Sequence, residues 1–190
     1  MAGRVVRWLL DRAERPGGVL LLVLMAFLEA TVFPAPTEAM LLALAVARPR
    51  RAWWLGAVAA VASAAGGLIG YHVGLAMYDE VARPVLAARG LLGQTDALGA
   101  LYRGNAFLAL ASSGYTPIPY MLYTMVAGAL EIPLGTFVGG SLVGRTLKYA
   151  PLAAAAYFLG PAARRVVERH AGRIAAVVVA ALLVAFLLSR

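Results

Sequence analysis

A Pro-x-Pro motif inside an apolar segment restricts what the first third of this chain can form. Pro34 and Pro36 each lack a backbone donor and each clash with the preceding helical turn, so one continuous helix cannot run through them. The apolar run that follows, residues 36–47, is roughly 18 Å long as a helix, whereas the hydrocarbon core of a bilayer is about 30 Å thick. We therefore predict that residues 17–48 enter the membrane, turn at the prolines and leave on the same side.

The motif recurs 83 positions later, at Pro117 and Pro119, and predicts a second re-entrant hairpin over residues 106–132. Each predicted hairpin is followed by a long apolar segment, at 52–78 and 134–160, in which glycines recur at short spacing. Small residues four apart allow close approach of a second helix, so both segments are predicted to be glycine-rich transmembrane helices.

Composition supports a membrane protein of one domain. The 190 residues are 62% hydrophobic and 14% charged, whereas soluble domains carry about 25% charged residues. The absence of cysteine excludes disulfides and thiolate metal sites, and we expect neither a metal nor a cofactor. The fold class is thus all-α and polytopic, with three further segments assigned by composition: a basic amphipathic segment at 1–16, a polar segment at 79–104 that is either a loop or a loop with a surface helix, and a basic loop with a C-terminal transmembrane helix at 161–190.

The arginines predict the topology. If both hairpins re-enter, one side of the membrane collects eleven arginines and the other side four. Cytoplasmic loops are rich in Lys and Arg, so the first side, with the N-terminus, is predicted to be cytoplasmic. This bias also explains the net charge of +8 without nucleic acid as a partner. The two halves then start on opposite sides and form an inverted repeat, which is typical of transporters. The larger group is Arg4, Arg7, Arg12, Arg15, Arg48, Arg50, Arg51, Arg164, Arg165, Arg169 and Arg173.

Four ionisable residues fall at membrane depth: Glu29, Glu38, Arg145 and Lys148. Such groups cost roughly 2.5–3.5 kcal/mol each to insert, so they face an interior or a cavity. Arg145 and Lys148 are three residues apart and share a helix face. One interpretation is a set of ion pairs that holds the two repeats together. The other assigns the two cations to an anionic head group, since guanidinium matches phosphate, and either glutamate to a coupling proton.

Hydroxyl groups near the second motif add candidate ligands: Ser113, Thr116 and Tyr120. Half-helices that begin after the prolines would also direct their positive dipole ends at the same region. No nucleophile–base pair or nucleotide loop is visible, so we do not expect an enzyme.

The joint pattern of several segments resembles the DedA superfamily (the VTT or SNARE-associated domain), most closely its YqaA-type branch. The resemblance covers roughly residues 17–160. It is carried by Phe27-Leu-Glu-Ala-Thr-Val-Phe-Pro-Ala-Pro-Thr-Glu38, Ser113-Gly-Tyr-Thr-Pro-Ile-Pro-Tyr120, Val126-Ala-Gly128 and Gly144-Arg-Thr-Leu-Lys-Tyr149.

The resemblance implies two re-entrant hairpins in inverted repeat, a bacterial inner-membrane location and a role in moving lipids, such as a polyprenyl phosphate or a phospholipid. It places the family's acidic residue at Glu29 or Glu38. One departure is Met121, which stands where a lysine is common in the branch. We therefore expect an anionic-lipid transporter or scramblase that is coupled to protons. The alternatives are a proton-coupled exporter of small ions or solutes and an assembly factor that transports nothing.

Overall fold

The computed structural model describes residues 17–31 and 36–160, and every regular element in these ranges is helical. The predictions for residues 1–16, for the turn at Pro34 and for residues 161–190 lie outside the described residues.

The first helix pair is α1, Gly18–Thr31, and α2, Thr37–Ala47. Helix α1 has one exposed face and one buried face: Leu20 and Leu24 are exposed, whereas Leu22 is buried. In α2 most apolar side chains are buried, because this short helix lies against both α1 and the helix that follows. Helix α2 begins directly after Pro36, the second proline of the Pro-x-Pro motif, as predicted.

The central helix is α3, Ala52–Ala76, and it follows a short 3-10 turn at Pro49–Arg51. By length and composition, Pro49–Ala76 is the one helix in the described part of the chain that could cross a membrane; its mean hydropathy is 1.6. Helices α1 and α2 are apolar but shorter.

The polar segment at 79–104, predicted as a loop alone or with a surface helix, is mostly helical. It contains a π-helical turn at Tyr78–Ala82, helix α4 at Arg83–Ala88, a 3-10 turn at Leu92–Gln94 and the first part of α5, which spans Thr95–Ser112. The physical reason is a sparse set of apolar residues that pack against the second helix pair and thereby order the segment: Ala82, Leu86, Leu91, Leu98 and Tyr102.

Helix α5 is kinked at Asn105, whose φ of −162° and ψ of 102° are not helical. The Asn105 side chain accepts a hydrogen bond from the Leu108 amide at 3.0 Å, so it caps the helical stretch 106–112. This stretch and α6, Tyr120–Ala129, form the second helix pair. The last described helix, α7, covers 134–160.

Glycines set how closely these helices approach. A Cβ placed on Gly66 of α3 would overlap the Phe27 carbonyl of α1, and one on Gly74 would overlap the Met125 carbonyl of α6. On α7, Gly144 similarly meets the Leu110 carbonyl of α5. The close approach predicted from the glycine spacing is therefore present, and it places both helix pairs against α3.

Candidate functional site at the helix-pair tips

Lys148 of α7 contacts both arms of the first helix pair. Its Nζ lies 2.8 Å from Oε1 of Glu29, near the end of α1, and 2.5 Å from Oε1 of Glu38, in the first turn of α2. The side chains of Lys148 and Glu29 are 19% and 21% exposed, whereas that of Glu38 is 43% exposed. Because Glu29 and Lys148 have the least access to water, their pair is the stronger of the two.

Arg145, one turn earlier on α7, contacts the second helix pair instead. Its Nη2 donates to the Ser113 carbonyl at 2.9 Å and to the Ser113 Oγ at 3.3 Å. The guanidinium carbon also lies 4.0 Å from the centroid of the Tyr120 ring, a cation–π contact. Ser113 caps the C-terminus of α5, so the guanidinium interacts with the negative end of that helix.

Arg145 is only 2% exposed, yet it has no carboxylate within salt-bridge distance in the described part of the chain. Its Nε is buried and has no hydrogen-bond partner there. Buried cations are ordinarily paired, because an isolated one is costly to desolvate. The arginine therefore keeps an unused donor and a positive charge with no counter-ion in contact.

Two helix N-termini lie close to these cations. Helix α2 begins directly after Pro36, and Glu38 in its first turn contacts Lys148. Helix α6 begins directly after Pro119, and its first residue, Tyr120, contacts Arg145. Each of these prolines directly precedes a new helix. The first backbone N–H groups of a helix have no partner within it, so both N-termini carry a partial positive charge that favours a negative group nearby.

We call the facing ends of α1 and α2, which carry Glu29 and Glu38, the first tip, and the bend at residues 113–119 between α5 and α6 the second tip. A further link between α7 and the second tip comes from a proline inside α7. Pro151 cannot donate to the Leu147 carbonyl, its partner four residues earlier, and this leaves a helical acceptor free. The Tyr115 hydroxyl donates to that carbonyl at 2.7 Å. This contact was not predicted, although the proline in the sequence shows which carbonyl needs a donor.

The predicted hydroxyl ligands divide into two groups. Ser113 and Tyr120 lie against Arg145, whereas Thr116 bonds instead with the Tyr123 hydroxyl at 3.0 Å. Pro117 lies in the bend between α5 and α6. The described residues contain no group of three or more His, Cys, Asp or Glu that could hold a metal.

Sequence reasoning missed Ser63, Ser141 and Tyr149, which are all buried near the charges. Ser141, Arg145 and Tyr149 are spaced by four and lie along one face of α7. That spacing is visible in the sequence, but an uncharged polar residue in an apolar helix is common and gave no reason to select it.

The fold and the site define a helical protein with a charged centre between two helix pairs, and comparisons identify its family. The VTT domain, which is the domain of the DedA family, matches residues 33–160. The chain therefore belongs to this membrane-associated family. It is also similar to a Haemophilus influenzae protein described as uncharacterized, with 28% identity over 124 residues; the match covers 65% of this chain and 64% of the relative. No solved structure matches.

Proposed function

We propose that this protein moves an anionic lipid across the bacterial inner membrane, as a transporter or scramblase coupled to protons, with a phosphate bound at Arg145. The observation that carries this proposal is the buried guanidinium without a carboxylate partner. A phosphate would supply the missing negative charge and accept from Nε in the geometry that arginine favours.

The architecture suits this function. In the proposed arrangement the two helix pairs are re-entrant hairpins in an inverted repeat, their tips meet at α7 near the middle of the bilayer, and the N-terminus is cytoplasmic. Discontinuous helices with N-termini directed at the substrate are the usual form of such transport sites. No covalent chemistry is required, so the proposed activity is transport without catalysis.

The surface supports a lipid in preference to a water-soluble anion. An apolar groove runs along the outer face of α5 from Ala97 past the Asn105 kink to Ser112, which is the neighbour of Ser113. Exposed Leu101 and Leu108 lie beside it. A hydrocarbon chain in this groove would extend to the residue next to the one that binds Arg145.

The coupling proton is assigned to Glu29 or Glu38. With both carboxylates ionised, Lys148 is held by two opposite charges and is not available to a phosphate. Protonation of one carboxylate removes a negative charge from the tip and frees one of these contacts. Uptake of a proton and binding of the anion would therefore favour each other, because each reduces the cost of the other.

A second candidate is an assembly factor in which the four charges only hold the helices together. The double contact of Lys148 with Glu29 and Glu38 favours it, because that lysine needs no further ligand. It leaves the state of Arg145 unexplained, so we rank it second.

The test uses purified protein in liposomes that contain a fluorescent polyprenyl phosphate or phospholipid and a membrane-impermeant quencher outside. We expect the protein to accelerate quenching, and Arg145→Gln to abolish the acceleration. The matched control is Arg83→Gln, because Arg83 is an exposed arginine of α4 that lies outside both the charged site and the α5 groove.

Folding of each variant is checked by gel filtration and helical circular dichroism. If neither lipid moves faster than in protein-free liposomes, with or without a pH gradient, lipid transport is wrong. An ion exporter would then appear as a change in internal pH upon addition of a permeant solute, and the assembly factor would give no signal in either assay.

A further inference from the structure

A stripe of buried polar side chains follows one face of α7. Ser141 and Tyr149 are fully buried and Arg145 is 2% exposed. Each of the three carries a buried polar atom without a hydrogen-bond partner: the Ser141 Oγ, the Arg145 Nε and the Tyr149 hydroxyl. A buried polar group without a hydrogen-bond partner destabilises the folded state, so three in one stripe call for a physical explanation.

The part of the stripe around Tyr149 faces the carboxylates. The Lys148 Nζ that binds Glu29 and Glu38 lies 5.4 Å from the centroid of the Tyr149 ring, so this ring lies beside the ion pairs. The Tyr149 hydroxyl is within electrostatic range of both carboxylates and lies beside Ser63 of α3. Glu29 uses Oε1 to bind Lys148, while its other oxygen, Oε2, is buried and has no partner. A free donor on α7 and a free acceptor on α1 therefore lie in the same buried region.

In many proteins, bound water satisfies buried polar groups that have no direct hydrogen-bond partner. A buried water makes about three hydrogen bonds to polar groups that have no direct partner, and a bridge of this kind is nearly as favourable as a direct bond. Ser63, Tyr149 and Glu29 Oε2 provide the partners that one or two bridging waters need.

We infer that Ser63, Tyr149 and bound water form a hydrogen-bonded path that delivers protons to Oε2 of Glu29. The inference rests on the proposed function, in which a glutamate at the first tip takes up the proton. It adds the route and selects Glu29 over Glu38. Tyr149 and Ser63 act as positioning residues, since they carry the proton without touching the lipid.

Tyr149 stays neutral during the proposed proton transfer, because it gains one proton as it gives up another. As the O–H proton of Tyr149 moves through water to Glu29 Oε2, the phenol oxygen receives a proton from the Ser63 side, supplied by hydronium. The carboxylate becomes a carboxylic acid, and the Tyr149 and Ser63 hydroxyls end as they began.

The proposed proton path ends at Arg145. Beyond Tyr149 the stripe continues to Arg145 and then to Ser141, which lies beside the Tyr120 hydroxyl of α6. A fixed guanidinium repels hydronium, as arginines do in water-selective pores. The charged groups that face Tyr149 are Glu29 from α1, Glu38 from α2, and Arg145 and Lys148 from its own helix. The carboxylates attract hydronium and the two cations repel it, so in the proposed path protons pass from Ser63 through Tyr149 to Glu29 and do not continue past Arg145.

The closing experiment measures protonation of Glu29 directly by infrared spectroscopy after a rapid drop in pH. The carboxylic C=O band of Glu29 is identified by its loss in Glu29→Gln. We expect Tyr149→Phe to slow the appearance of this band at least tenfold and Ser63→Ala to slow it severalfold. Both substitutions keep the shape of the buried side chain closely enough for the fold to persist, which circular dichroism checks.

Two controls match these variants. Ser141→Ala removes a buried hydroxyl on the far side of Arg145, and Tyr157→Phe removes one from the surface of the same helix; we expect wild-type rates in both. Equal rates in wild type and Tyr149→Phe would overturn the path, as would equal slowing by Ser141→Ala. Because the band reports protonation without lipid, this result is independent of the liposome assay: the path can fail while lipid transport holds, and the reverse.

Discussion

The tips of the two helix pairs meet the same helix, α7, but they offer it opposite chemistry. The first tip presents two carboxylates to Lys148, so the formal charge of the tip together with this lysine is −1. The second presents a carbonyl, a hydroxyl and an aromatic face to Arg145, so its formal charge is +1. The centre as a whole is neutral, and the excess positive charge is confined to the second tip.

This difference assigns separate roles to the two halves. An anion is attracted to the second tip, where the cation has no counter-ion, and repelled from the first. A proton is attracted to the first. Two tips of identical composition would attract the same kind of ion, whereas these two tips carry formal charges of opposite sign.

Replacing the lysine tests the first tip, and we expect the largest effect there. Lys148→Met leaves the partly buried Glu29 without its cation, which should lower the free energy of unfolding by about 3 kcal/mol. Thermal unfolding in detergent measures this change. Combining it with Glu29→Gln should recover most of the loss; a double variant as unstable as Lys148→Met would show that the ion pair is not the cause.

The next largest loss of stability is expected where α3 packs closely against α1. Gly66→Ala places a methyl group against the Phe27 carbonyl, where backbone atoms leave no room, and should cost about 2 kcal/mol. Gly135→Ala is the matched control, because nothing lies within 4 Å of the position that its Cβ would take. Similar unfolding temperatures for the two variants would contradict the close contact between α3 and the first helix pair.

The two carboxylates of the first tip should differ from each other. Glu29→Gln removes the less exposed partner of Lys148 and should cost about 1 kcal/mol, whereas Glu38→Gln, with a side chain that is 43% exposed, should cost less than about 0.5 kcal/mol. Unfolding of both variants at low and high salt distinguishes them, since screening reduces only the exposed contribution. A larger loss for Glu38→Gln would reverse the assignment of the stronger pair.

The smallest change in stability is expected at the residues that end the two helix pairs. The second pair ends at Glu131 with a φ of 53°, a left-handed conformation that glycine adopts at lower cost, whereas the first ends at Arg48 with a φ of −135°. The left-handed penalty of roughly 1–2 kcal/mol is partly offset by the entropy of glycine, so Glu131→Gly should stabilise by about 0.5 kcal/mol. Arg48→Gly should destabilise; stabilisation by both would point to an effect on the unfolded chain.

Local chemistry made the helices of this fold predictable. The prolines defined where α2 and α6 begin, and the glycines of α3 indicated which of its faces meets other helices. The order of residues 78–104 was not predictable from polarity, because it depends on a few apolar contacts such as Leu86 and Leu98 with the second helix pair. Contacts of that kind are set by the tertiary fold and leave only scattered apolar residues in the sequence.

At the site, the charges were easier to predict than their partners. Glu29, Glu38, Arg145 and Lys148 were selected because ionised groups are rare at membrane depth. Which carboxylate faces which cation could not be predicted, because it depends on the rotation of α7 against both tips. Tyr149 was missed because a tyrosine in an apolar helix is unremarkable until its hydroxyl is found buried and unpartnered.

The three-residue spacing of Arg145 and Lys148 has a mechanical consequence. Along a helix it corresponds to a rise of about 4.5 Å and an angular offset of about 60°, so the two side chains are fixed to one stiff rod and point in neighbouring directions. Turning the rod toward one tip turns it away from the other. Any rotation or shift of α7 therefore changes the contacts of Lys148 with the first helix pair and those of Arg145 with the second helix pair together.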